Sequence, residues 1–134
     1  MLITHMQVFA LYAGLSGLIV LILAVLVSRA RRKYGVALGE GGHPALQQAV
    51  RAHGNASEYV PIVLVLLLTL ASMKASIWLI HLVGAMLVFG RILHGIGLHQ
   101  SAGLSVGRGL GMALTWAALL VAAAACLFYA LKAG

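Results

Sequence analysis

Four long apolar runs, joined by short segments, are the feature that most limits how this chain folds. At a rise of about 1.5 Å per helical residue, each run is long enough to cross a hydrocarbon core of about 30 Å. Only 8% of the residues are charged and 63% are hydrophobic, whereas a soluble domain carries about 25% charged residues. The sequence therefore predicts an all-α integral membrane four-helix bundle, a single domain over residues 1–134 with helices at about 6–27, 44–73, 76–98 and 106–131.

Basic residues gather at one end of the predicted bundle. The net charge is +7, from 9 Lys and Arg against 2 Asp and Glu, and four of the basic residues stand together in "SRARRKYG" between the first two runs. The positive-inside rule places the first and third loops in the cytoplasm and both termini outside. If the chain is bacterial, the predicted location is the inner membrane. The charge is expected to meet lipid headgroups, because no motif that reads nucleic acid is present.

The stretch "RAHGNASEYVP" places polar residues at the start of the second apolar run. Arg51, Asn55 and Glu58 are separated by four and three residues, so they share one face of a helix. Such groups are expensive at membrane depth and are by default a functional hypothesis. They mark the first candidate binding surface.

A second polar pair, Arg91 and His94, lies three residues apart on the third predicted helix. Since the second and third helices form an antiparallel hairpin, this pair is expected beside Arg51 and Glu58. Two interpretations remain open. In the first, Glu58 holds the helices together by pairing with an arginine; in the second, the surplus positive charge forms an anion-binding site. We favour the second, because a structural ion pair requires no surplus arginine.

Other features have simpler interpretations. Gly103, Gly107 and Gly111 recur every four residues, as do Gly109, Ala113 and Ala117, and small residues at that spacing let membrane helices approach closely. His81 is expected to be a packing histidine. Cys126 is the only cysteine, so no intrachain disulfide can form. No spacing typical of metal ligands, phosphate loops or hydrolase nucleophiles occurs, and no metal is expected.

The pattern Arg-x-x-x-Asn-x-x-Glu-Tyr-x-Pro, from Arg51 to Pro61, resembles the MAPEG family, membrane-associated proteins in eicosanoid and glutathione metabolism. "FGRILH" in the third of four spans supports the resemblance. It implies a homotrimer with three glutathione sites between neighbouring subunits, open to the cytoplasm. It also implies a hydrophobic, electrophilic second substrate that arrives through the membrane lipids.

The resemblance also implies roles for individual residues. The implied glutathione-binding residues are Arg31, Arg51, His53, Asn55, Glu58, Tyr59 and Arg91, with Glu58 accepting from the glutathione amine. A nearby cation would favour the thiolate, and the candidate activators are Arg108 and, as the alternative, His94. The chain departs from the best-studied enzymes at His94 and Leu98, where those enzymes carry tyrosines.

The resulting functional prediction is a membrane-bound glutathione S-transferase acting in detoxification, with glutathione peroxidase as a further activity to test. The first alternative is a non-catalytic MAPEG protein that binds lipid or glutathione, which the missing tyrosines favour. The second is a small membrane transporter, because intramembrane Arg, Glu and His occur in such proteins. Against a transporter, the four spans contain no detectable inverted repeat.

Overall fold

Four long helices form the protein in a computed structural model that describes residues 4–100 and 105–132, without the side chains of 98–100. The helices are α1 (His5–Tyr34), α2 (Pro44–Ser72), α3 (Ile77–Gln100) and α4 (Val106–Lys132). All four are long and apolar enough to cross a membrane. The prediction of an all-α integral membrane protein with four spanning helices is confirmed.

The first helix is longer than its apolar run predicts, ending at Tyr34 rather than near residue 27. Arg31, Arg32 and Lys33 occupy its last turn, where positive charge is favourable beside the unpaired carbonyls. Gly35 ends the helix in the left-handed region at φ 65° and donates its backbone N–H to the Arg31 carbonyl. The basic cluster is therefore helical, while the other three helices begin and end within two residues of their expected positions.

The loop between α1 and α2 is ordered by contacts of its own. The rings of Tyr34 and His43 stack with centroids 4.3 Å apart. Arg31 Nη1 donates to the carbonyl oxygens of Ala37 at 3.2 Å and Gly39 at 3.0 Å. Pro44 then opens α2, a position where its missing N–H costs nothing because the first N–H groups of a helix have no intrahelical partner.

The central pair of the bundle is α2 and α3. Each of these helices packs against the other three, whereas α1 and α4 do not touch one another within the described residues. The core lies where α2 and α3 meet their neighbours, and its fully buried side chains include Val63, Leu67, Leu70, Ile80, Val83 and Leu87. The arrangement leaves most of α1 exposed on the protomer.

Glycines bring α3 and α4 into close contact. A Cβ added at Gly111 would lie 2.6 Å from the Gly90 carbonyl oxygen and would collide with the backbone of His94. A Cβ added at Gly107 would meet the Leu93 carbonyl oxygen at 3.4 Å. The predicted close approach is confirmed for the row containing Gly107 and Gly111, whereas a Cβ at Gly109 would meet nothing within 4 Å. Gly103 lies outside the described residues.

A polar contact joins α1 to α3 near the opposite end of the bundle. The Tyr12 hydroxyl and His81 Nδ1 are 3.0 Å apart, and the rings meet edge to face with centroids 5.7 Å apart. The ring of Tyr12 also lies directly against Gly84. The expectation that His81 is a packing histidine is confirmed by this bond.

Candidate functional site

Most of the residues predicted to carry function lie toward one end of the bundle, whereas Glu58 and Tyr59 lie near the middle of α2. The antiparallel connections bring the last turns of α1 and α3 and the first turns of α2 and α4 to this end. Arg31 lies in the last turn of α1, and Arg108 lies in the first turn of α4. The end is therefore strongly basic, with Glu40 and Glu58 as the only acidic residues of the chain.

Arg51, Asn55 and Glu58, called the polar stripe below, follow one line along α2. Arg51 and Glu58 are exposed on the surface of the protomer, and Asn55 is half-buried. The side of α2 that packs against α1 carries Ala52 and Ala56 instead, both buried. The polar stripe consequently points away from the core of its own protomer.

The polar stripe has few partners inside the protomer. Throughout residues 4–97 and 105–132, no ion pair joins Glu58 to Arg51 or to Arg91. Asn55 Oδ1 is buried, yet no donor reaches it. The ion-pair network that the sequence left open is thus not formed within the described part of one protomer, and Arg51 and Glu58 remain exposed on its surface.

The line of the polar stripe continues into apolar residues. Ile62 is 53% exposed and Val65 is 63% exposed, at positions four and seven residues beyond Glu58. The same face of α2 is therefore charged at one end and apolar further along. Lipid chains satisfy the apolar part but not the charged part, since unpaired polar groups are costly in hydrocarbon.

Arg91 lies in a different environment, enclosed between α3 and α4 with only 1% of its surface exposed. Its Nη1 donates to Thr115 Oγ1 at 3.3 Å and contacts Met112 Sδ at 3.8 Å. Its Nη2 is 2.8 Å from His94 Nδ1, and Nε has no partner. We call Arg91, His94 and Thr115 the buried cluster.

The hydrogen bonds of the buried cluster define the state of His94. A guanidinium only donates hydrogen bonds, so Nδ1 of His94 accepts from Arg91 and the ring is neutral, with its proton on Nε2. Thr115 Oγ1 donates to the Gly111 carbonyl oxygen at 2.8 Å, which leaves its lone pairs to accept from Arg91. No carboxylate pairs with Arg91 within the described residues, so its charge is uncompensated.

Arg108 lies next to the buried cluster in the first turn of α4. It is half-buried, and its backbone N–H donates to Ser105 Oγ at 3.3 Å. Ser105 Oγ in turn donates to the Gly97 carbonyl oxygen at 3.1 Å, which ties the start of α4 to α3. The charges of Arg91 and Arg108 both act on His94, so three basic side chains converge where α3 meets α4.

Three further predicted residues have separate surroundings. Arg31 donates to carbonyls of its own loop. Tyr59 accepts a hydrogen bond from Trp116 Nε1, with 3.1 Å between the nitrogen and the hydroxyl oxygen. His53 is half-buried on α2. In the described part of the protomer, no hydrogen bond or ion pair joins Arg91 or His94 to the polar stripe.

Two residues that hold Arg91 in place, Thr115 and Met112, were not predicted from the sequence. Thr115 was recognisable in the sequence as a polar residue, because it is a hydroxyl residue inside the apolar fourth run, four residues after Gly111. Its pairing with Arg91 could not be deduced, since it depends on the register between α3 and α4. Leu98, the other position at which the best-studied enzymes carry a tyrosine, lies outside the residues whose side chains are described.

A family model described as "MAPEG family" matches residues 9–128. The chain belongs to the MAPEG family. Its relatives include the inner membrane protein YecN of Escherichia coli K12, 44% identical over 123 residues and covering 92% of each chain. YecN of Escherichia coli O6:H1 matches equally well. No solved structure matches the chain at a significant level. The match to the MAPEG model includes every residue of the polar stripe and of the buried cluster.

Proposed function

We propose that this MAPEG protein is a glutathione S-transferase that conjugates glutathione to lipid-soluble electrophiles. The observation that carries the proposal is the polar stripe. Arg51, Asn55 and Glu58 lie on the surface of a membrane helix, and no ion pair within the described protomer neutralises Glu58. A ligand bearing both negative and positive groups is what such a surface accommodates.

The chemical groups of glutathione complement the polar stripe. The tripeptide carries two carboxylates and one ammonium group at neutral pH. The forked guanidinium of Arg51 pairs with a carboxylate through two parallel hydrogen bonds. Glu58 accepts from the ammonium group, and the amide of Asn55 binds the peptide backbone between them. Arg31, His53 and Tyr59 would complete the site, whereas Arg91, which the resemblance also implies there, is 1% exposed and held by Thr115 and His94.

A homotrimer is the second part of the proposal. The exposed line on α2 combines the polar stripe with Ile62 and Val65, and bare lipid does not satisfy the polar part. A second copy of the chain placed against this line would cover the apolar residues and enclose the bound tripeptide. Glutathione would then enter from the basic end, while the electrophile arrives from the bilayer.

Thiol activation is assigned to Arg108. In the reaction the glutathione thiol loses its proton, and the thiolate sulfur attacks the electrophilic carbon as the leaving group departs. A neighbouring guanidinium stabilises the thiolate by charge. His94 is the alternative activator, but its ring is 3% exposed and already accepts from Arg91. Arg108 is half-buried in the first turn of α4, so its guanidinium is more accessible to a thiol than the enclosed ring of His94.

The proposed location is the bacterial inner membrane, in keeping with the printed name of YecN. The loops α1–α2 and α3–α4 would face the cytoplasm, because they carry most of the basic residues. This orientation turns the polar stripe toward the cytoplasmic glutathione pool and leaves both termini outside.

The proposal is tested by conjugation of glutathione to 1-chloro-2,4-dinitrobenzene by the purified protein in detergent. The thiolate sulfur bonds to the ring carbon and chloride leaves, so the adduct is followed by absorbance. We expect turnover above the uncatalysed rate and a saturable heat of glutathione binding in calorimetry. The absence of both turnover and binding would exclude the proposal.

Replacing Arg108 by Ala is expected to separate activation from binding. The Arg108→Ala variant should bind glutathione with unchanged affinity but conjugate it about 100-fold more slowly, because one stabilising charge at a reacting group contributes about 3 kcal/mol. Stopped-flow measurement of thiolate absorbance and of kcat checks this. Arg29→Ala, which removes an exposed arginine at the end of α1, is the control and should keep its turnover. Equal losses in both variants would contradict the assignment.

A non-catalytic binding protein is the second candidate function. The observation that favours it is His94, which stands where the best-studied enzymes carry a tyrosine and is enclosed against Arg91. This candidate predicts saturable glutathione or lipid binding without conjugation or peroxide reduction. The same calorimetry and turnover measurements therefore distinguish the two functions.

A further inference from the structure

The first turn of α4 is fixed by Ser105, the residue immediately before Val106. Ser105 Oγ accepts a hydrogen bond from the backbone N–H of Arg108 at 3.3 Å, and its carbonyl oxygen accepts from the backbone N–H of Gly109 at 3.0 Å. These two bonds are those of a helix N-cap residue, whose side chain satisfies a backbone N–H that has no intrahelical partner. The backbone of Arg108 is therefore anchored to the side chain of Ser105.

The same hydroxyl also joins α4 to α3. Ser105 Oγ donates to the carbonyl oxygen of Gly97 at 3.1 Å, so its one proton points toward α3 while a lone pair receives the Arg108 N–H. A capping bond alone would order only the first turn of α4. The additional bond to Gly97 also sets the position and rotation of that turn against the neighbouring helix.

Gly97 is in direct backbone contact with this turn. A Cβ added at Gly97 would collide with the backbone nitrogen of Arg108 and would lie 2.9 Å from Ser105 Oγ. The approach from the other helix is close as well, because a Cβ added at Gly107 would lie 3.5 Å from Gly97 Cα. The two backbones meet here without an intervening side chain, so a bond across the contact restrains the backbone of Arg108 directly.

The orientation of this turn decides where the Arg108 side chain points. In a helix the Cα–Cβ direction follows from the backbone, so the guanidinium moves when the first turn rotates. Helix ends fray where their N–H groups lack partners, and a long arginine side chain amplifies a small backbone displacement. A displacement of about 1 Å at a reacting group is enough to slow a reaction about 100-fold.

We propose that Ser105 is a positioning residue, whose hydroxyl holds the guanidinium of Arg108 at the place where it stabilises the glutathione thiolate. This inference rests on the proposed function, in which Arg108 activates the thiol. Ser105 itself does not donate to the thiolate, because its proton is already donated to the Gly97 carbonyl. It acts through the backbone of Arg108, which its oxygen anchors.

Ser105→Ala tests the proposal in the purified full-length protein, with glutathione and 1-chloro-2,4-dinitrobenzene as substrates. We expect kcat to be about tenfold lower, a partial loss of the contribution of Arg108, and the Kd for glutathione in calorimetry to be unchanged. Ser105→Thr keeps the hydroxyl and should restore most of the rate. Ser72→Ala is the matched control, since it removes a hydroxyl that donates to the Leu68 carbonyl oxygen at 2.9 Å near the far end of α2. Wild-type kcat in Ser105→Ala would overturn the proposal.

The pH dependence of kcat separates positioning from a purely structural role. A displaced guanidinium stabilises the thiolate less, which raises the pKa of the bound glutathione thiol. The rise of kcat with pH should therefore move upward by about one pH unit in Ser105→Ala, which corresponds to a tenfold loss of rate below the transition. An equal loss of kcat at every pH would mean that less of the protein is folded, and it would overturn the proposal.

A double-mutant cycle tests whether Ser105 acts through Arg108. If it does, Ser105→Ala should lower kcat about tenfold in the wild-type background but by less than about twofold in the Arg108→Ala background. Equal losses in both backgrounds would assign Ser105 a direct role at the thiol and overturn the proposal. Absence of turnover by the wild-type protein would overturn the proposed function together with this inference, whereas wild-type turnover that Ser105→Ala retains would overturn this inference alone.

Discussion

Glu58→Ala is expected to weaken glutathione binding by about 100-fold, close to 3 kcal/mol, because it removes an ionised acceptor from the ligand's ammonium group. Glu58 is exposed on α2 and makes no ion pair with Arg51 or Arg91 in the described protomer. Its removal should therefore leave the fold of the protomer intact. Calorimetric titration with reduced glutathione measures the loss.

Glu40→Ala is the matched control, since Glu40 is the only other acidic residue of the chain. It lies in the α1–α2 loop at the same end of the bundle, so it changes the net charge by the same amount. We expect glutathione affinity to be unchanged in this variant. If Glu58→Ala instead dissociates the oligomer and the remaining protein binds glutathione normally, Glu58 has a structural role and the assignment fails.

Gly111→Leu is expected to lower the free energy of unfolding by about 3 kcal/mol, the upper range for overpacking a tight contact. A Cβ at Gly111 would already lie 2.6 Å from the Gly90 carbonyl oxygen and would collide with the His94 backbone. Backbone atoms cannot move aside as a flexible side chain can, so α3 and α4 would have to separate. Titration with SDS in mixed micelles, followed by circular dichroism, measures the change.

Gly109→Leu supplies the comparison for this effect. It is on the same helix, only two residues away, and a Cβ there would meet nothing within 4 Å. Both substitutions change the helix propensity equally, so their difference reports packing alone. Equal stabilities of the two variants would contradict the close approach of α3 and α4. Because Arg91 and His94 also lie on this contact, Gly111→Leu should disturb the buried cluster as well.

The helices were predictable from the sequence because membrane spans are set by local composition. Hydropathy and length were enough to identify the four apolar runs. Three of the four helices begin and end within two residues of their predicted positions. The first helix was placed seven residues too short, since hydropathy stops at Val27 whereas the helix continues through the basic cluster to Tyr34. Hydropathy marks where lipid contact ends, which is not where backbone hydrogen bonding ends.

The candidate site was predictable only in part. The common face of Arg51, Asn55 and Glu58 follows from helical spacing, which is local information. The hydrogen-bond partners of Arg91 do not, because they depend on how the helices rotate against one another when they pack. The sequence placed Arg91 beside Glu58, but the structure holds Arg91 against α4 through Thr115. Contacts between helices require the register of the whole bundle.

The most direct measurement is an experimental structure of the full-length protein in a lipid nanodisc with reduced glutathione. We expect density for the tripeptide against Arg51, Asn55 and Glu58, between two copies of the chain, with its sulfur toward Arg108. A structure in which these three side chains face lipid, or pair fully with residues of a neighbouring copy and leave no space for the tripeptide, would contradict it.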